Sequence, residues 1–412
     1  MTEAGVAAGP QRRVAITGLG TISSIGIGVT EFVRSLRTGR VGTGPIRSFD
    51  TTGFPSLVAA EVTDFEPAEG VRVLDPRRWG RSSLFAAGAA RLAVEDSGID
   101  PDLLSRSVSG CIMGTTAGEA VPMQDLAGQW VKEGLAQLDP RLVVQAPASQ
   151  IAVAVSRELG LTGDTHTVPT ACSASNFALG HAYDLVRTGE ADFMVAGGAD
   201  SVNRNTHAGF YRLGALAEAV TRPFDVDRSG ILTGEGGVAL LLEPLEGALA
   251  RGAHVYAEVL GWAMNCDAEH MVHPDATGIA ECIRLAHRAA GIEPDQVDYI
   301  CAHGTGTPTN DATEVQAVRA VFGDRLPPLS SVKSMIGHTM GAASGFGAVA
   351  CCAALDQGFL PPTATLRQVD DAFGPGVDAV PGRGRPATVR VAQNHGFAFG
   401  GNNVIVVLGE VA

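Results

Sequence analysis

A cysteine that could act as a nucleophile lies at residue 172, within the small-residue stretch 168–175 and directly before a helical pattern. A thiol at the start of a helix meets the positive end of the helix dipole and unsatisfied N–H groups, and both favour the thiolate. Small flanking residues admit a substrate, and the N–H of Cys172 could help bind an oxyanion. Cys351 and Cys352 lie within an apolar helical run and are predicted to be core residues.

Two histidine-glycine segments could complete a site around this cysteine. His303 begins the segment 303–307, and His338 ends the segment 333–338 that starts with Lys333. One thiol with two imidazoles can transfer an acyl group through a thioester. The hydroxyls of Thr305 and Thr307 could hold a polar ligand. The alternative for a single histidine in such a loop is that it only caps a turn.

Acidic and glycine-rich segments are placed to support these groups. Asp311 and Glu314 open the helix that follows His303, where they could orient the imidazoles or form an ordinary ion pair with Lys333. The segment 394–402 precedes the final strand, and it is predicted either to donate a backbone N–H to an oxyanion or to form a hairpin turn. The remaining histidines considered, which lack such surroundings, are predicted to be structural: His166, His181, His207, His287 and His395.

Composition excludes several other classes of protein. The 412 residues carry a net charge of −14, which argues against broad nucleic-acid binding. Seven cysteines without a C-x-x-C pair indicate a reduced cytoplasmic chain with neither disulfide framework nor metal site. Residues 1–13 contain no apolar segment typical of a secretory signal, and the longest apolar run, near 345–355, is too short to cross a membrane.

The elements that must position these residues alternate between buried strands and helices. Helical faces are predicted at 173–188, 278–290 and 341–357. Strands are predicted at Val14–Ile16, Gly110–Met113, Phe193–Ala196, Val238–Leu242, Tyr299–Ala302 and Val404–Leu408. This alternation favours an α/β fold with helices on both sides of the sheets. Cys172 and His338 each precede a comparable helix that ends in glycine, which suggests an internal duplication.

Gly18 and Gly20 follow the first predicted strand and could suggest a dinucleotide site. The fingerprint requires a third glycine where the chain has Ser23, and no acidic residue is suitably placed for a ribose. The two glycines are therefore predicted to form a tight turn, and no nucleotide or other cofactor is expected.

Together, these segments resemble those of β-ketoacyl-acyl carrier protein synthases, the condensing enzymes of fatty acid and polyketide assembly. The resemblance extends from Arg13 to Leu408, and no single motif would establish it. The motifs that carry it are 170–173, 303–308, 310–314, 333–338 and 397–401, with Arg222–Asp225 and Gly234–Gly236. It implies the thiolase fold, a five-layer αβαβα sandwich of two duplicated halves, here residues 12–250 and 251–412.

The resemblance also implies a role for each matching residue. Cys172 would accept the acyl chain, and His303 and His338 would promote decarboxylation of malonyl-carrier and stabilise the enolate. Lys333 and Glu314 would organise the histidines. The other implied roles are pantetheine binding by Thr305 and Thr307, an oxyanion hole from the N–H groups of Cys172 and Phe399, a gate at Phe399, and substrate contacts from Ala117, Phe397 and Gly400.

The implied partners are acyl carrier protein and a second ketosynthase-like chain, in a homodimer or in a heterodimer with a chain-length-factor-like sister chain. No nucleic acid or membrane partner is expected. Carrier docking is predicted on a basic patch, although ordinary solvated arginines are the alternative. The residues of that patch are Arg77, Arg78, Arg81 and Arg212.

Three departures from the family pattern affect the predicted pathway. The segment Leu213–Thr221 is about half a dozen residues shorter than in the bacterial fatty-acid enzymes, Ser-Ala-Ser follows Cys172, and Ala117 replaces a larger aliphatic residue. They favour the catalytic subunit of a type II polyketide synthase, such as one that makes reduced or polyene chains. The alternatives are a fatty-acid elongation enzyme, a non-catalytic chain-length partner, and a degradative thiolase, whose C-terminal Cys-x-Gly is not found here.

Overall fold

Apolar segments form the strands of one large sheet, because their side chains can be buried on both faces. Four short strands stand apart from it in two antiparallel pairs, Gly44–Pro45 with Val58–Ala59 and Phe359–Leu360 with Arg385–Pro386. The computed structural model describes residues 11–411, so the segment before Gln11, on which the expectation of no secretory signal largely depends, and Ala412 lie outside the described residues. The strands are β1 (Val14–Ser23), β2 (Gly26–Ile27), β3 (Gly44–Pro45), β4 (Val58–Ala59), β5 (Ser109–Gly114), β6 (Thr165–Val168), β7 (Phe193–Asp200), β8 (Gly236–Pro244), β9 (Ala257–Cys266), β10 (Tyr299–Cys301), β11 (Leu329–Ser330), β12 (Phe359–Leu360), β13 (Arg385–Pro386), β14 (Val391–Phe397) and β15 (Asn402–Gly409).

Most helices end at a glycine with positive φ, a conformation that closes a helix at little steric cost. The helices are α1 (Val29–Thr38), α2 (Pro67–Gly70), α3 (Arg81–Ser97), α4 (Pro101–Arg106), α5 (Ala120–Glu133), α6 (Pro140–Gln145), α7 (Gln150–Leu159), α8 (Ala174–Thr188), α9 (Arg204–Arg212), α10 (Leu245–Ala250), α11 (Ala276–Ala290), α12 (Pro308–Phe322), α13 (Lys333–Ile336) and α14 (Ala343–Gln357). No helix within residues 11–411 is long and apolar enough to span a membrane.

The main sheet repeats one strand order twice. The first half runs β1-β8-β7-β5-β6, and the second runs β9-β15-β14-β10-β11. In each half the first two pairings are antiparallel and the last two are parallel. The halves join through a short antiparallel pairing of β1 with β9. The predicted duplication is therefore visible in the topology.

Helices cover both faces of each half-sheet and produce five layers. Helices α3 and α7 pack on the outer face of the first half, and α11 and α12 lie on the outer side of the second. Helices α8 and α14 lie between the two half-sheets and contact each other. The predicted five-layer αβαβα thiolase fold is confirmed, and α8 and α14 bring the two halves together at its centre.

The prediction of a turn at Gly18 and Gly20 is wrong. Both residues lie inside β1. A Cβ atom at Gly18 would lie 2.0 Å from the carbonyl oxygen of Ala93, and one at Gly20 would lie 1.9 Å from that of Ala89. These glycines are thus required by the close approach of α3 to the sheet. In the segment 394–402, residues 394–397 belong to strand β14, and residues 398–401 form the hairpin turn to β15, which was one of the two predicted alternatives.

Candidate active site

Cys172 lies in a single turn of 3-10 helix, Ala171–Ser173, that leads into α8. Ala171 has a φ of 52°, a conformation that is uncommon for a residue other than glycine. Met340, at the entry to α14, has a φ of 54°. The Oγ of Ser175 donates to the carbonyl of Gly341 at 2.6 Å, so the two helix entries are bonded to each other. The sharp turns bring Cys172 and His338 to the same central region.

The loop that carries His303 is held from behind by buried acids. Glu314 accepts hydrogen bonds from the N–H groups of His303 at 2.8 Å and Gly304 at 2.7 Å. Asp311 accepts from the N–H of Thr305 at 3.0 Å. Both acids lie in the first two turns of α12 and are fully buried. Their spacing of three residues puts both carboxylates on the side of the helix that faces the loop.

Lys333 is also buried, and it acts on the same loop. Its ammonium group donates to the carbonyl of His303 at 2.5 Å, and it begins the short helix that leads to His338. Nδ1 of His338 accepts from the N–H of Met340 at 3.0 Å, which leaves Nε2 as the nitrogen that carries a proton in the neutral ring. The rings of His303 and His338 lie 5.7 Å apart between centroids and are nearly perpendicular.

Most of the predicted chemical groups line one cavity of about 180 Å³. Among its polar groups are the Cys172 thiol, the imidazoles of His303 and His338, and the hydroxyls of Thr305 and Thr307. The predicted residues that it brings together are Cys172, His303, Thr305, Thr307, His338, Phe397 and Phe399. Lys333 and Glu314 lie behind this surface. The cavity thus has a buried end at the thiol and a mouth at exposed residues such as Leu213.

The structure qualifies the expectation that Cys172 favours the thiolate. Burial raises the pKa of the Cys172 thiol to about 11, and this effect outweighs the charge of Lys333, which lowers that pKa. The N–H groups of Phe399 and of Cys172 itself also lie against the sulfur and lower its pKa. These two N–H groups are the pair that the sequence predicted as oxyanion donors. The resting group is a thiol, held among groups that stabilise negative charge.

The two buried histidines of the cavity, His303 and His338, are neutral. Burial, followed by the charge of Lys333, lowers the pKa of His303 and of His338 well below the ordinary value. Nδ1 of His303 is buried without a hydrogen-bond partner in the described residues. A neutral imidazole with a free N–H can donate to developing negative charge in a buried site without first losing a proton.

Phe399 lines the cavity, and its backbone N–H lies against the sulfur of Cys172. Its side chain is 37% exposed, and its ring lies 5.7 Å from that of Phe210. Gly400 follows with a φ of 89°, and its N–H donates to the carbonyl of Met271 at 2.7 Å. Phe210, on α9, also packs near His338 and was not singled out from the sequence. An isolated phenylalanine in a helix carries no signal of such a contact.

Two predicted substrate residues are not part of this cavity. Ala117 lies in the loop after β5, where its N–H donates to Asp200 at 2.9 Å. Gly400 contributes to the turn behind Phe399 rather than to the cavity wall. Their predicted contacts with substrate stay predictions.

The four arginines of the predicted docking patch differ in their contacts. Arg81 makes a two-pronged ion pair with the buried Glu235, at 2.6 and 3.1 Å, which favours a structural role over docking. Arg77 is exposed and bonded to Asp75. Arg78 and Arg212 are exposed, and neither forms an ion pair within residues 11–411. Arg212 ends α9 directly before Leu213, at the mouth of the cavity.

Two buried residues that sequence reasoning missed support the site. Asp200, at the end of β7, accepts from the N–H of Gly341 at 2.7 Å and from three groups in the loop after β5. Burial raises its pKa to about 6. His395, which the sequence left as structural, contacts Glu314 through Nδ1 at 2.9 Å. The strand-end position of Asp200 was a usable signal, whereas nothing local marks His395.

Comparison with known proteins agrees with this geometry. Residues 11–248 match the family model of the β-ketoacyl synthase N-terminal domain, and residues 256–367 match that of the C-terminal domain. The chain belongs to the β-ketoacyl synthase family. It is therefore a condensing enzyme of the acyltransferase type, as the motifs predicted.

Individual relatives cover nearly the whole synthase. The 3-oxoacyl-[acyl-carrier-protein] synthase 2 of Synechocystis sp. is 36% identical over 96% of this chain and 97% of its own. The solved structure of the ishigamide ketosynthase/chain length factor has a TM-score of 0.95 and 46% identity, over 98% of this chain and 100% of its own. The AntDE:AntF structure, a type II PKS acyl-carrier protein in complex with its ketosynthase, has a TM-score of 0.89 and 29% identity over 98% of this chain and 100% of its own.

Proposed function

We propose that this synthase is the catalytic ketosynthase of a type II polyketide system that builds reduced or polyene chains. The observation that carries the proposal is the 46% identity to the ishigamide ketosynthase/chain length factor, against 36% to the synthase 2 of Synechocystis sp.. The short segment after α9 supports it, because Leu213 and the two residues after it line the mouth where a carrier would dock.

The first half-reaction acylates Cys172. The thiol gives up its proton, its sulfur attacks the thioester carbonyl of acyl-carrier protein, and the carrier sulfur leaves as a thiol after taking a proton. Lys333 favours the transient thiolate through its charge. The N–H groups of Cys172 and Phe399 face the position where the carbonyl oxygen becomes negative, so they stabilise the tetrahedral intermediate.

The second half-reaction forms the carbon–carbon bond. Malonyl-carrier enters beside Thr305 and Thr307, its carboxylate leaves as carbon dioxide, and the bonding electrons form an enolate. Neutral His303 and His338 donate N–H hydrogen bonds to the enolate oxygen, which their low pKa values permit. The enolate carbon attacks the Cys172 thioester, and the carbon–sulfur bond breaks to regenerate the cysteine. Lys333, Glu314 and His395 hold the histidine loop during these steps.

The partners of the proposed reaction are acyl carrier protein and a second ketosynthase-like chain, and no cofactor enters the steps above. Exposed Arg78 and Arg212 are the best placed of the predicted docking residues for an acidic carrier, since Arg81 is held by Glu235. A non-catalytic chain-length role is disfavoured because Cys172, His303 and His338 are all present in one cavity.

Fatty-acid elongation is the second candidate, and the similarity to the synthase 2 of Synechocystis sp. over 96% of this chain favours it. The two candidates differ in the acyl chains that they accept. A polyene pathway requires transfer of conjugated unsaturated chains, whereas fatty-acid elongation requires saturated ones. A saturated and an unsaturated acyl chain of the same length, on the same carrier, therefore distinguish the two candidate functions.

The test is acyl transfer followed by intact-mass measurement of the whole protein. Hexanoyl-carrier and 2,4-hexadienoyl-carrier are compared, with Cys172→Ala as the blank and malonyl-carrier added afterwards. We expect an adduct on the wild type alone, faster transfer of the dienoyl group, and a ketoacyl product longer by two carbons. Faster transfer of the saturated chain would favour the fatty-acid candidate, and an adduct on Cys172→Ala would refute the assigned nucleophile.

A further inference from the structure

Two histidines outside the catalytic group lie at the mouth of the cavity. His270 and His273 line it, and both are exposed, whereas the Cys172 end is buried. Their rings stack with centroids 4.2 Å apart and planes 13° from parallel. The pair therefore lies on the wall of the same cavity that reaches Cys172.

The lining of the cavity contains few groups that can meet an anion. Within the described residues, neither arginine nor lysine lines it. Of its four histidines, His303 and His338 are deeply buried and held neutral, because burial lowers their pKa well below the ordinary value. His270 and His273 are therefore the exposed imidazoles of the lining. An anion bound beside them would keep part of its contact with water.

The local hydrogen bonds leave donors of this pair free. Nδ1 of His270 accepts from the N–H groups of Val272 at 3.1 Å and His273 at 3.2 Å, so its proton is on Nε2. The ring of His273 forms no hydrogen bond within residues 11–411, and both of its nitrogens are available. Two nearby carboxylates are already bonded: Asp275 accepts from Gly278, and Asp267 accepts from Asp275 and Asn403. Glu269 is the exposed acid that remains beside the pair.

We infer that His270 and His273 form a subsite for the phosphate ester of the phosphopantetheine arm that delivers the acyl group. The inference rests on the proposed function. In that function Thr305 and Thr307, deeper in the cavity, bind the pantetheine part of the arm, and the histidine pair would bind its phosphate end. Two imidazole N–H groups side by side match the oxygens of a phosphate ester, and such charge-assisted bonds are stronger than neutral ones. Carrier protein and coenzyme A both present this chemistry, and we assign the subsite to the carrier.

The experiment measures the rate of Cys172 acylation from donors that share one acyl group. The donors are acyl-pantetheine, acyl-phosphopantetheine, acyl-coenzyme A and acyl-carrier protein, and the readout is intact mass. We expect the wild type to use acyl-phosphopantetheine more efficiently than acyl-pantetheine. In His273→Gln, and further in His270→Gln/His273→Gln, we expect the ratio of the two kcat/KM values to fall about threefold to tenfold, mainly through KM.

Two further variants separate recognition from a general structural effect. His273→Arg supplies N–H donors and a positive charge at the same position, so it should show the preference for the phosphorylated donor that His273→Gln loses. His254→Gln removes an exposed histidine that pairs with Asp356 in a different cleft, and it should leave the ratio at the wild-type value. A ratio that His273→Gln does not change, or that His273→Arg fails to restore, overturns the subsite.

The remaining outcomes distinguish this inference from the proposed function. If all donors acylate Cys172 without a preference for phosphate, the subsite is refuted and the acyl transfer stands. If no donor acylates wild-type Cys172, the proposed function fails and the subsite fails with it. If the variants slow acyl-coenzyme A but not acyl-carrier protein, the phosphate site serves free coenzyme A, and its assignment to the carrier is wrong.

Discussion

The pKa of the Cys172 thiol is set by opposing effects, and each can be assigned to burial or to a named residue. Burial disfavours its negative charge, whereas Lys333 and the N–H groups of Cys172 and Phe399 favour it. Burial has the largest effect on the pKa, so the resting protein holds a thiol. The thiolate forms only transiently, when a substrate is bound for attack. This arrangement protects the nucleophile between turnovers, since the thiolate is the reactive form.

This balance predicts how Cys172 responds to an alkylating reagent. Because its pKa is raised to about 11, the thiolate fraction and the rate of iodoacetamide modification should rise about tenfold per pH unit from pH 7 to pH 9. Lys333→Met removes the stabilising charge and should lower the rate several-fold at each pH. Intact mass measures the rate, with Cys172→Ala as the blank for other thiols. A rate that is constant between pH 7 and pH 9 would show a thiolate already formed.

Glu119 predicts a pH dependence of stability at a different site. Burial raises its pKa from 4.5 to about 7, and Oε2 has no hydrogen-bond partner within residues 11–411. Between those pH values the folded state binds more protons than the unfolded state, so stability falls as pH rises through this window. Glu119→Gln keeps an acceptor for the N–H of Ser83 and removes the charge. We expect it to stabilise the protein by about 2 kcal/mol at pH 8 and by little at pH 4.5.

Urea unfolding at the two pH values measures this difference. Exposed Glu133, at the other end of the same helix, gives the matched control, and Glu133→Gln should change stability little at either pH. Equal effects of Glu119→Gln at pH 4.5 and pH 8 would contradict a buried charge as the cause.

At the scale of the elements, the entry to α8 determines where Cys172 points. Ala171 holds a φ of 52°, which glycine adopts freely and which a β-branched residue adopts only at a large cost. Ala171→Val should therefore destabilise the protein by about 2 kcal/mol and slow the acylation of Cys172. Ala171→Gly relaxes the steric restriction and should stay within about 1 kcal/mol of the wild type. Thermal unfolding and intact-mass acylation measure both effects, and equal behaviour of the two variants would rule out backbone conformation as the cause.

The sequence predicted those elements whose cause is local. Buried strands such as β7 and helices such as α11 follow from apolar runs and from one-sided periodicity. Cys172, His303 and His338 could be chosen because each lies beside small residues at the start or end of an element. Their resemblance to a family then linked residues that are far apart in the chain, which no local pattern does.

Features that depend on a distant partner could not be predicted. Gly18 and Gly20 were expected in a turn. They are glycines because the backbone of α3 packs against them, and α3 lies more than sixty residues further along the chain. His395 contacts Glu314 across 81 residues of sequence. The pKa of Cys172 likewise depends on how deeply the assembled fold buries it. Such properties belong to the tertiary structure and leave no trace in a single segment.

At the scale of the whole molecule, the repeated sheet leaves one strand of each half at an edge. In the first half that strand is β6, which is only partly buried. The carbonyls of Asp164 and Val168 accept from β5, so by the two-residue period of a strand the N–H groups of Thr165 and Thr167 point away from the sheet. An open strand edge of this kind is a natural place for a second chain to pair.

The exposed apolar side chains of α5 and the segment after it add to this argument. Trp130 is 59% exposed, Val131 86% and Leu135 63%. Large apolar side chains that stay exposed within a few residues of one another are typical of surfaces that another chain covers. They belong to the same half as β6, in the stretch of chain between β5 and β6. The proposed second ketosynthase-like chain therefore has both a strand edge and an apolar surface on which to dock.

The edge of β6 supplies a test of assembly. Thr165→Pro removes an outward N–H without removing a bond to β5, so it should block strand pairing between chains while the fold persists. Thr165→Val keeps the N–H and is the matched control. Light scattering after size-exclusion chromatography should show that Thr165→Pro weakens association, of this chain alone or with its co-expressed sister chain, at least tenfold relative to Thr165→Val. Association of equal strength in both variants, with wild-type circular dichroism, would place the interface elsewhere on the molecule.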